Sequence, residues 1–199
     1  MTGEKVSPVD VQQILEAIQL APTSRGFQSF KVIIIENDEL KKKIQPVADN
    51  QPQVVECSHL LVFAAWKSVN EVQINEFIQY VADERGIPVE KLEKMKSMLI
   101  KDQLPMSSNE LYNWTAKQIY LALGFGITTA ATLKVDAAAL EGFSPTDLDN
   151  LLGLDKLGLR SVVLLALGFR DTETDWLVKL KKVRKTKEEL FLQIDTLTP

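Results

Sequence analysis

The chain has 199 residues, 45% of them hydrophobic, which suits one domain with an ordinary buried core. Its net charge of -4 at pH 7 argues against a general binder of nucleic acid or of acidic membranes, because both need a positive field. One cysteine and one histidine exclude an intrachain disulfide and a Cys/His zinc cluster, and the lack of a hydrophobic signal region or of an apolar run of about 18 to 20 residues predicts a cytoplasmic protein.

The chain begins with a predicted helix and strand joined by a polar turn. Ser7 and Pro8 are typical of an N-cap and a first helical position, so a helix is expected over about residues 8–20. The β-branched run 31–35 predicts a strand. Between them, residues 22–28 carry two hydroxyls, an arginine, an amide and a glycine, which could bind an anionic group. A plain helix-to-strand connector explains the local chemistry equally well.

A short helix and a buried strand follow. Asn37 or Asp38 can cap the helix, and its three consecutive lysines, residues 41–43, are expected on the solvated face. Residues 49–53 form a polar, turn-prone break. The strand predicted over 59–65 has apolar residues on both faces, so it should lie in the middle of a sheet.

The middle of the chain predicts three helices. Residues 69–100 are charged and indicate two helices divided by the Gly-Ile-Pro break at 86–88. They could form a substrate lid or pack on a partner, although plain surface helices are commoner. Two tandem serines can cap the longest helix, over about 108–133, whose nearly uniform apolarity predicts a central, fully buried position. The Gly-Phe-Gly at 124–126 lacks the third glycine and the preceding strand of a dinucleotide fingerprint, so close helix packing is the better interpretation.

The last third mixes short elements with a charged tail. Residues 135–140 should be extended or irregular, and 141–143 should form a turn. A capped helix is predicted over 144–152 and a buried strand over 159–167. The apolar segment 190–194 has nothing local to pack on, so it must dock elsewhere, and a second subunit is one such place.

These elements predict a layered α+β fold in a single domain, residues 1–199, because strands and helices alternate without a regular βαβ rhythm. No nucleophile elbow, Walker A motif or metal-ligand spacing occurs. His59 opens an apolar strand and is expected to be a hydrogen-bonded structural residue, with Cys57 a buried small hydrophobe.

The polar residues cluster in separate breaks, at 22–28, 49–53 and 141–142, and a basic run occupies 179–187. Together they could serve a ligand with a planar polar ring at one end and a phosphate at the other. Taken alone, the basic run is better interpreted as a solvated face.

Five short motifs occur along the chain in a specific order and spacing. They are Ala21-Pro22-Thr23-Ser24-x-x-x-Gln28, Asn50 ahead of Ser58-His59-Leu60-Leu61-Val62, Trp114-x-Ala116-Lys117-Gln118, Glu141-Gly142-Phe143, and Lys182-Val183-Arg184. No single motif is diagnostic. In this order the chain resembles, over essentially its whole length, the FMN-dependent nitroreductases, close to the oxygen-insensitive NAD(P)H nitroreductase and dihydropteridine reductase branch.

The resemblance implies a nitroreductase-like layered fold, with a central mixed β-sheet flanked by helices and a C-terminal tail exchanged in an intertwined homodimer. It implies FMN in each of two interface sites and ping-pong hydride transfer from NAD(P)H to a nitroaromatic, a quinone or a related small aromatic acceptor, with no catalytic side chain and no metal. The FMN-binding residues that it implies are Pro22, Thr23, Ser24, Gly26, Asn50, Gln53, Ala139, Leu140, Glu141, Gly142, Lys182 and Arg184.

Each group of these residues has an implied role. Residues 22–24 would contact the flavin from one subunit, and Asn50 and Gln53 would hold its pyrimidine edge. Residues 141–142 would offer backbone N–H groups near N5 and O4, where preorganised donors favour the reduced ring. The cations at 182–184 would bind the phosphate.

The chain also departs from the family pattern. Family members usually begin with an Arg-x-Ser/Thr-x-Lys segment that grips the phosphate and the ring, and this sequence starts after that point. Either its start is truncated or misassigned, or FMN binding is weakened by about 1.5 to 3 kcal/mol for each charged hydrogen bond. Gly26 replaces a common asparagine, Gln53 a lysine and Ala139 a proline. Two alternatives therefore stand: a flavin-binding protein with weakened or lost turnover, and a dihydropteridine or flavin reductase.

Overall fold

The structure is a computed structural model that describes residues 1–195. The chain divides into two compact units, Met1–Phe169 and the segment from Arg170 onward. The first unit contains the sheet and seven of the α-helices described below. The predicted single domain reaches residue 199, and its last four residues lie outside the described part of the chain.

Four strands form one sheet in the first unit. They are β1 (Phe30–Ile35), β2 (His59–Trp66), β3 (Asp136–Leu140) and β4 (Leu159–Gly168). Their order in the sheet is β1-β2-β4-β3, so β2 lies inside the sheet as predicted, and β3 forms where an extended or irregular segment was expected. The layered α+β class is confirmed.

The expected mixed sheet is wrong for the described residues, because all three strand pairings are antiparallel. His59 of β2 faces Leu167 of β4, and Leu140 of β3 faces Leu164 of the same strand. Each neighbour in the sheet runs in the opposite direction, so no parallel pair forms within this part of the chain. Between β2 and β4 the register shifts once, after Phe63.

Helices cover both faces of this sheet. Those of the first unit are α1 (Pro8–Leu20), α2 (Asp38–Ile44), α3 (Pro52–Glu56), α4 (Glu71–Arg85), α5 (Glu93–Gln103), α6 (Ser108–Thr132) and α7 (Pro145–Leu152). Short 3-10 turns lie at Ser24–Gly26, Gln45–Val47, Val89–Leu92 and Leu154–Leu157. No helix of the described residues is long and apolar enough to cross a membrane.

Helix boundaries follow the predicted caps. Ser7 accepts the backbone N–H of Asp10 at the start of α1, and Asn37 and Ser144 make the equivalent bonds at α2 and α7. At α6, Ser107 and Glu110 form a capping box. The predicted break at 49–53 is partly wrong, because its last two residues, Pro52 and Gln53, begin α3, and residues 24–26 of the first break form a 3-10 turn.

Each face of the sheet has its own core. α1 and α6 pack on one face, and α2, α3 and α7 pack on the other. α4 and α5 build a separate small core around Phe27, Ile78 and Leu99. The predicted pair of helices divided at 86–88 is confirmed, since α4 ends at the left-handed Gly86.

The 25-residue α6 is central but not fully buried, which corrects the expectation from its composition. One side packs on the sheet, whereas Leu121 and Phe125 on another side remain 46% and 45% exposed. Gly126 lies on the packed side, where an added Cβ would stand 2.8 Å from the Cγ1 of Ile18 in α1. The predicted close helix packing is therefore confirmed at this glycine. A Cβ at Gly124 would meet nothing within 4 Å.

Lys41 is buried, so the expectation that residues 41–43 are all solvated is wrong for one of them. Its side chain is 1% exposed, and its Nζ donates to the Cys57 carbonyl at 2.6 Å and lies 2.9 Å from the Asp38 carboxylate. Three consecutive lysines span about 200° of a helical turn, and the rotation of α2 on the sheet places Lys41 on the same buried side as Ile44. The buried charge is tolerated because it is hydrogen-bonded and paired.

The second unit contains the predicted apolar tail segment. Its helix α8 (Lys187–Leu190) starts at the capping Thr186. The large apolar side chains that follow, Phe191, Leu192 and Ile194, are all exposed. Within the described chain this segment thus has no apolar cover.

Candidate functional site

Two of the predicted polar breaks meet in space. The Gln51 Nε2 donates to the Gly142 carbonyl at 2.7 Å and to the Ala48 carbonyl at 3.2 Å. An added Cβ on Gly142 would stand 2.7 Å from an Asp49 carboxylate oxygen, so no larger residue fits there without movement of its neighbours. We call residues 49–53 together with 139–142 the second corner.

The predicted residues occupy different positions within the second corner. Asn50, Ala139 and Glu141 are exposed, and Leu140 is buried in the core below the sheet edge. The side-chain oxygen of Gln53 is buried and has no hydrogen-bond partner among the described residues. The corner thus presents a rim of accessible groups around one unsatisfied acceptor.

Gln51, which ties this corner together, was not among the predicted site residues. A glutamine in a polar break is an ordinary surface residue, and nothing in its sequence spacing indicates a partner 91 residues away. Its partner break at 141–142 was identified, but only as a separate turn.

Residues 22–28, which we call the first corner, are held between two helices. The backbone N–H of Ser24 donates to the Gln118 side-chain oxygen of α6 at 2.8 Å. The Arg25 guanidinium donates to the Asp102 carboxylate of α5 at 2.6 Å. Thr23, Ser24 and Gly26 are therefore positioned by contacts on both sides of the loop, with Pro22 exposed at its start. Gln118 belongs to one of the sequence motifs, but its partner was not anticipated.

Backbone strain concentrates in the two corners. Five non-glycine residues of the described chain have a positive φ, and four of them lie in these loops: Arg25 (56°), Gln28 (44°), Asp49 (50°) and Asn50 (54°). The fifth, Lys134, follows the end of α6. Such conformations cost energy and persist at sites where the surrounding structure enforces them, which is typical of ligand-binding loops.

The helix α6 separates the two corners. Gln118 contacts the first corner, while the hydroxyl of Tyr120 donates to the Glu141 carboxylate of the second. Residues two positions apart on an α-helix point about 200° away from each other. The two corners consequently lie on nearly opposite sides of α6 within one chain.

Each corner contains a buried polar atom that the described chain leaves unsatisfied. These atoms are the Thr23 Oγ1 in the first corner and the Gln53 Oε1 in the second; the two others of this kind are the Gln103 Oε1 and the Ser161 Oγ. A buried acceptor or donor without a partner costs about 1 to 3 kcal/mol. A polar ligand that reached both corners would remove that cost.

Lys182 and Arg184 lie in the second unit. Both are exposed, and the Arg184 guanidinium donates to the Val183 carbonyl at 2.7 Å.

Burial shifts the pKa of Tyr120, whose hydroxyl contacts the second corner. Desolvation, followed by its hydrogen bond to Glu141, raises the pKa of Tyr120 to about 12. The phenol is therefore a neutral hydrogen-bond donor at physiological pH. The Glu141 side chain is engaged by this bond, and its backbone carbonyl accepts the Phe143 N–H at 3.0 Å.

A serine and the histidine are in contact, but not as a catalytic pair. The Ser58 Oγ accepts the Val6 N–H at 2.8 Å and lies 2.8 Å from the His59 Nδ1, while the His59 Nε2 lies 3.4 Å from Glu36. Ser58 has no exposed surface, so no substrate can reach its hydroxyl. Burial lowers the pKa of His59. The structural role predicted for this histidine is confirmed.

Cys57 is equally inaccessible, as predicted. It is a buried free cysteine, and burial raises the pKa of its thiol to about 11. Among the described residues, no three His, Cys, Asp or Glu side chains are grouped to hold a metal ion.

Comparison with known proteins decides the family. A model of the nitroreductase family matches residues 2–169. The chain belongs to the nitroreductase family. It is 31% identical over 195 residues to the major NAD(P)H-flavin oxidoreductase of Aliivibrio fischeri, an alignment that covers 95% of this chain and 89% of that protein.

Solved structures of this family share the fold. The Bacillus subtilis protein ydfN superposes with a TM-score of 0.84 over 98% of this chain and 91% of its own, at 18% identity. A protein of Exiguobacterium sibiricum, solved in complex with FMN, gives a TM-score of 0.76 at 20% identity and covers 97% of this chain and 90% of its own. The resemblance inferred from the motifs is thus confirmed.

This nitroreductase-family chain is an NAD(P)H-dependent oxidoreductase with FMN as its cofactor, as expected from its motifs. The chemistry of its corners suits that cofactor, because unsatisfied buried polar atoms of Thr23 and Gln53 lie where the flavin contacts were predicted. The absence of a side chain at Gly142 lets the side chains of Asp49 and Gln51 pack directly against its backbone, which holds this turn in place.

Proposed function

We propose that two copies of this chain form a homodimer that binds two FMN molecules, each between the first corner of one copy and the second corner of the other. The observation that carries the proposal is the separation of the corners by α6, since Gln118 and Tyr120 contact them from nearly opposite sides. One chain alone leaves each corner with an unsatisfied buried atom. A second copy related by a two-fold axis would bring complementary corners together twice.

The apolar face of α6 supports the same assembly. Leu121 and Phe125 are exposed one turn apart, with Tyr120 beside them. Leu190–Ile194 of the second unit is also apolar and exposed. Exposed apolar surface of this kind is typical of subunit interfaces. In our proposal the tail is exchanged between copies, and residues 1–199 act as one FMN-binding domain.

Within this site the predicted residues take distinct roles. Pro22, Thr23, Ser24 and Gly26 contact the flavin ring from one copy. Asn50 and Gln53 of the other copy hold its pyrimidine edge, and Ala139, Leu140, Glu141 and Gly142 line its other side. Lys182 and Arg184 bind the phosphate, a role suited to a point charge and a bidentate fork.

FMN, when bound, accepts a hydride from NAD(P)H and in a second half-reaction passes it to a nitroaromatic, a quinone or a related acceptor. The chain supplies position rather than acid–base chemistry. Gln51 fixes the Gly142 backbone, so that the N–H groups of residues 141–142 are preorganised where negative charge develops. Exclusion of water by the second copy would strengthen these hydrogen bonds.

The test separates assembly from local folding. Phe125→Glu places a charge on the exposed face of α6, and Val72→Glu makes the same change on an exposed apolar residue of α4. We expect Phe125→Glu to be monomeric in analytical ultracentrifugation and to bind FMN at least tenfold more weakly, while Val72→Glu remains dimeric and yellow. A monomeric Phe125→Glu protein that binds FMN as tightly as the unaltered chain would refute the shared site.

Two alternative functions share the site and differ in outcome. A protein that binds FMN but is not bleached by NADH or NADPH under argon would be a flavin-binding protein with lost turnover. A protein that is bleached and then passes electrons to a dihydropteridine or to free flavin, but not to a nitroaromatic or a quinone, would be a reductase of those substrates.

A further inference from the structure

A basic cavity adjoins the first corner, and its positively charged residues have no role in the site described above. It has a volume of about 550 Å³ and lies between the first corner and the α4–α5 helices. Its positive lining residues are Arg25, Arg85, Lys91 and Lys94, accompanied by Met95 and Met98. All of these residues lie in the first unit.

Three of these four cations lack a carboxylate within ion-pair distance in the described part of the chain. Arg25 is paired with Asp102 at 2.6 Å. Arg85, Lys91 and Lys94 make no ion pair among the residues that the structure describes. Three cations without an ion-pair partner line one cavity of a chain whose net charge is -4. Their repulsion is relieved when an anion binds between them.

We propose that this basic cavity binds the phosphorylated adenosine end of NADPH, so that the enzyme uses NADPH in preference to NADH. The inference rests on the proposed function, in which a nicotinamide dinucleotide delivers the hydride. NADPH differs from NADH by a 2′-phosphate, which carries close to two negative charges at neutral pH. The cavity supplies the complementary groups, because the Arg85 guanidinium offers a bidentate fork and Lys91 and Lys94 offer point charges.

The apolar lining suits the base next to that phosphate. Met95 and Met98 provide flexible, polarisable surface on α5, of the kind that adapts to a planar ring. Lys94 and Met98 are four residues apart on this helix, so a phosphate and a base bound there would lie side by side.

The position of the cavity links it to the flavin. Thr23 and Gly26 of the first corner also line the cavity. A dinucleotide anchored by its adenosine end would therefore have its nicotinamide end directed along the loop that contacts the flavin in our proposal. The first corner would then contact both the flavin and the dinucleotide.

The experiment compares nucleotides that differ only in the 2′-phosphate. The variant Lys91→Ala/Lys94→Ala removes two cations of the cavity, and Lys101→Ala removes an exposed lysine of α5 that does not line it. Steady-state kcat/KM is measured with NADPH and NADH on the holoenzyme. Binding of 2′,5′-ADP and of 5′-AMP is measured by isothermal titration calorimetry on the same proteins.

We expect the unaltered enzyme to prefer NADPH by at least tenfold and to bind 2′,5′-ADP but not 5′-AMP tightly. In the double variant kcat/KM for NADPH should fall at least tenfold and that for NADH less than threefold, with 2′,5′-ADP binding lost in parallel. Lys101→Ala should behave as the unaltered enzyme. Added salt should weaken 2′,5′-ADP binding more in the unaltered enzyme than in the double variant.

Three results would overturn the inference: no preference between the two nucleotides, equal losses for both in the double variant, or 2′,5′-ADP binding that is unchanged by it. Equal losses would assign the cations to the pyrophosphate that both nucleotides share. If neither nucleotide bleaches the flavin, the proposed function fails, and the calorimetric comparison still decides whether this cavity takes the 2′-phosphate.

Discussion

The side-chain amide of Gln51 donates a 2.7 Å hydrogen bond to the carbonyl of Gly142, 91 residues later in the chain. This bond joins the break before α3 to the turn after β3. Both segments were expected to contact the flavin, but they were predicted separately. The hydrogen bond between them makes the second corner a single continuous surface.

Gln51→Leu should loosen that surface. The substitution leaves the Gly142 carbonyl without its donor, a loss of about 1 to 3 kcal/mol. If this energy is lost from the bound state, the dissociation constant for FMN rises by about fivefold to about a hundredfold. Flavin fluorescence titration measures it, with Gln79→Leu on the exposed surface of α4 as the control. Unchanged FMN affinity in Gln51→Leu would show that the bond does not shape the site.

Gly126 and Gly124 provide a matched pair of tests for helix packing. Alanine favours a helix over glycine by about 1 kcal/mol, so Gly124→Ala, where a Cβ meets nothing, should raise the free energy of unfolding. Gly126→Ala should lower it, because overpacking against Ile18 costs about 1 to 3 kcal/mol and exceeds the propensity gain. Urea unfolding of both variants gives the comparison. Equal stabilisation by the two alanines would contradict the close contact between α1 and α6.

Lys41 and Lys42 offer a similar comparison for a buried cation. Lys41→Met keeps the side-chain volume but leaves the Cys57 carbonyl without its 2.6 Å donor. The free energy of unfolding should fall by about 1 to 3 kcal/mol. Lys42→Met removes only an exposed pair with Glu39 and should change it by less than about 1 kcal/mol. If the two variants lower the free energy of unfolding equally in denaturant titrations, the buried hydrogen bond of Lys41 does not contribute more than the exposed pair of Lys42.

His59 predicts a pH dependence of stability. Burial lowers its pKa in the folded chain, with Lys5 and Lys41 acting in the same direction and Glu36 opposing them. The unfolded chain therefore takes up this proton at a higher pH than the folded chain does. The resulting stabilisation is fully present above the unfolded pKa of about 6.5 and is lost as the pH falls through that value toward the folded pKa.

The measurement compares the unaltered chain with His59→Gln. Free energies of unfolding are recorded from about pH 8 to about pH 5.5, the range in which a histidine titrates. Because His59 is the sole histidine, the variant should show a smaller decline over this range. Parallel curves for the two proteins would show that the decline has another origin.

The sequence predicted most helices and strands well, because the interactions that start and end them lie within a few residues of each other. The caps at Ser7, Asn37 and Ser144 act over three residues, and the two-sided apolarity of β2 reflects its central place. The burial of Lys41 was missed because the rotation of a short helix on a sheet depends on distant partners. The exposed side of α6 was missed because its apolar residues do not show which of them the same chain covers.

The site was predicted from motifs rather than from physical chemistry alone. Residues 49–53 and 141–142 are ordinary turns when considered separately, and only the fold brings them within hydrogen-bond distance. Gln51 carries no sequence signal of its own. The basic cavity was also invisible, since Arg25, Arg85 and Lys91 come from three separate segments.

The left-handed backbone of Arg25 and Gln28 bears on any attempt to make this protein tolerate heat. A non-glycine residue in that conformation costs roughly 1 to 2 kcal/mol, more than the roughly 0.5 to 1 kcal/mol of chain entropy that glycine forfeits. A library screened only for survival at high temperature should thus enrich glycine at Gln28, whereas at Arg25 the 2.6 Å pair with Asp102 opposes the change. The selected variants would be more stable, but their first corner would be less rigid. The codons for both positions should therefore be held constant during such an evolution experiment.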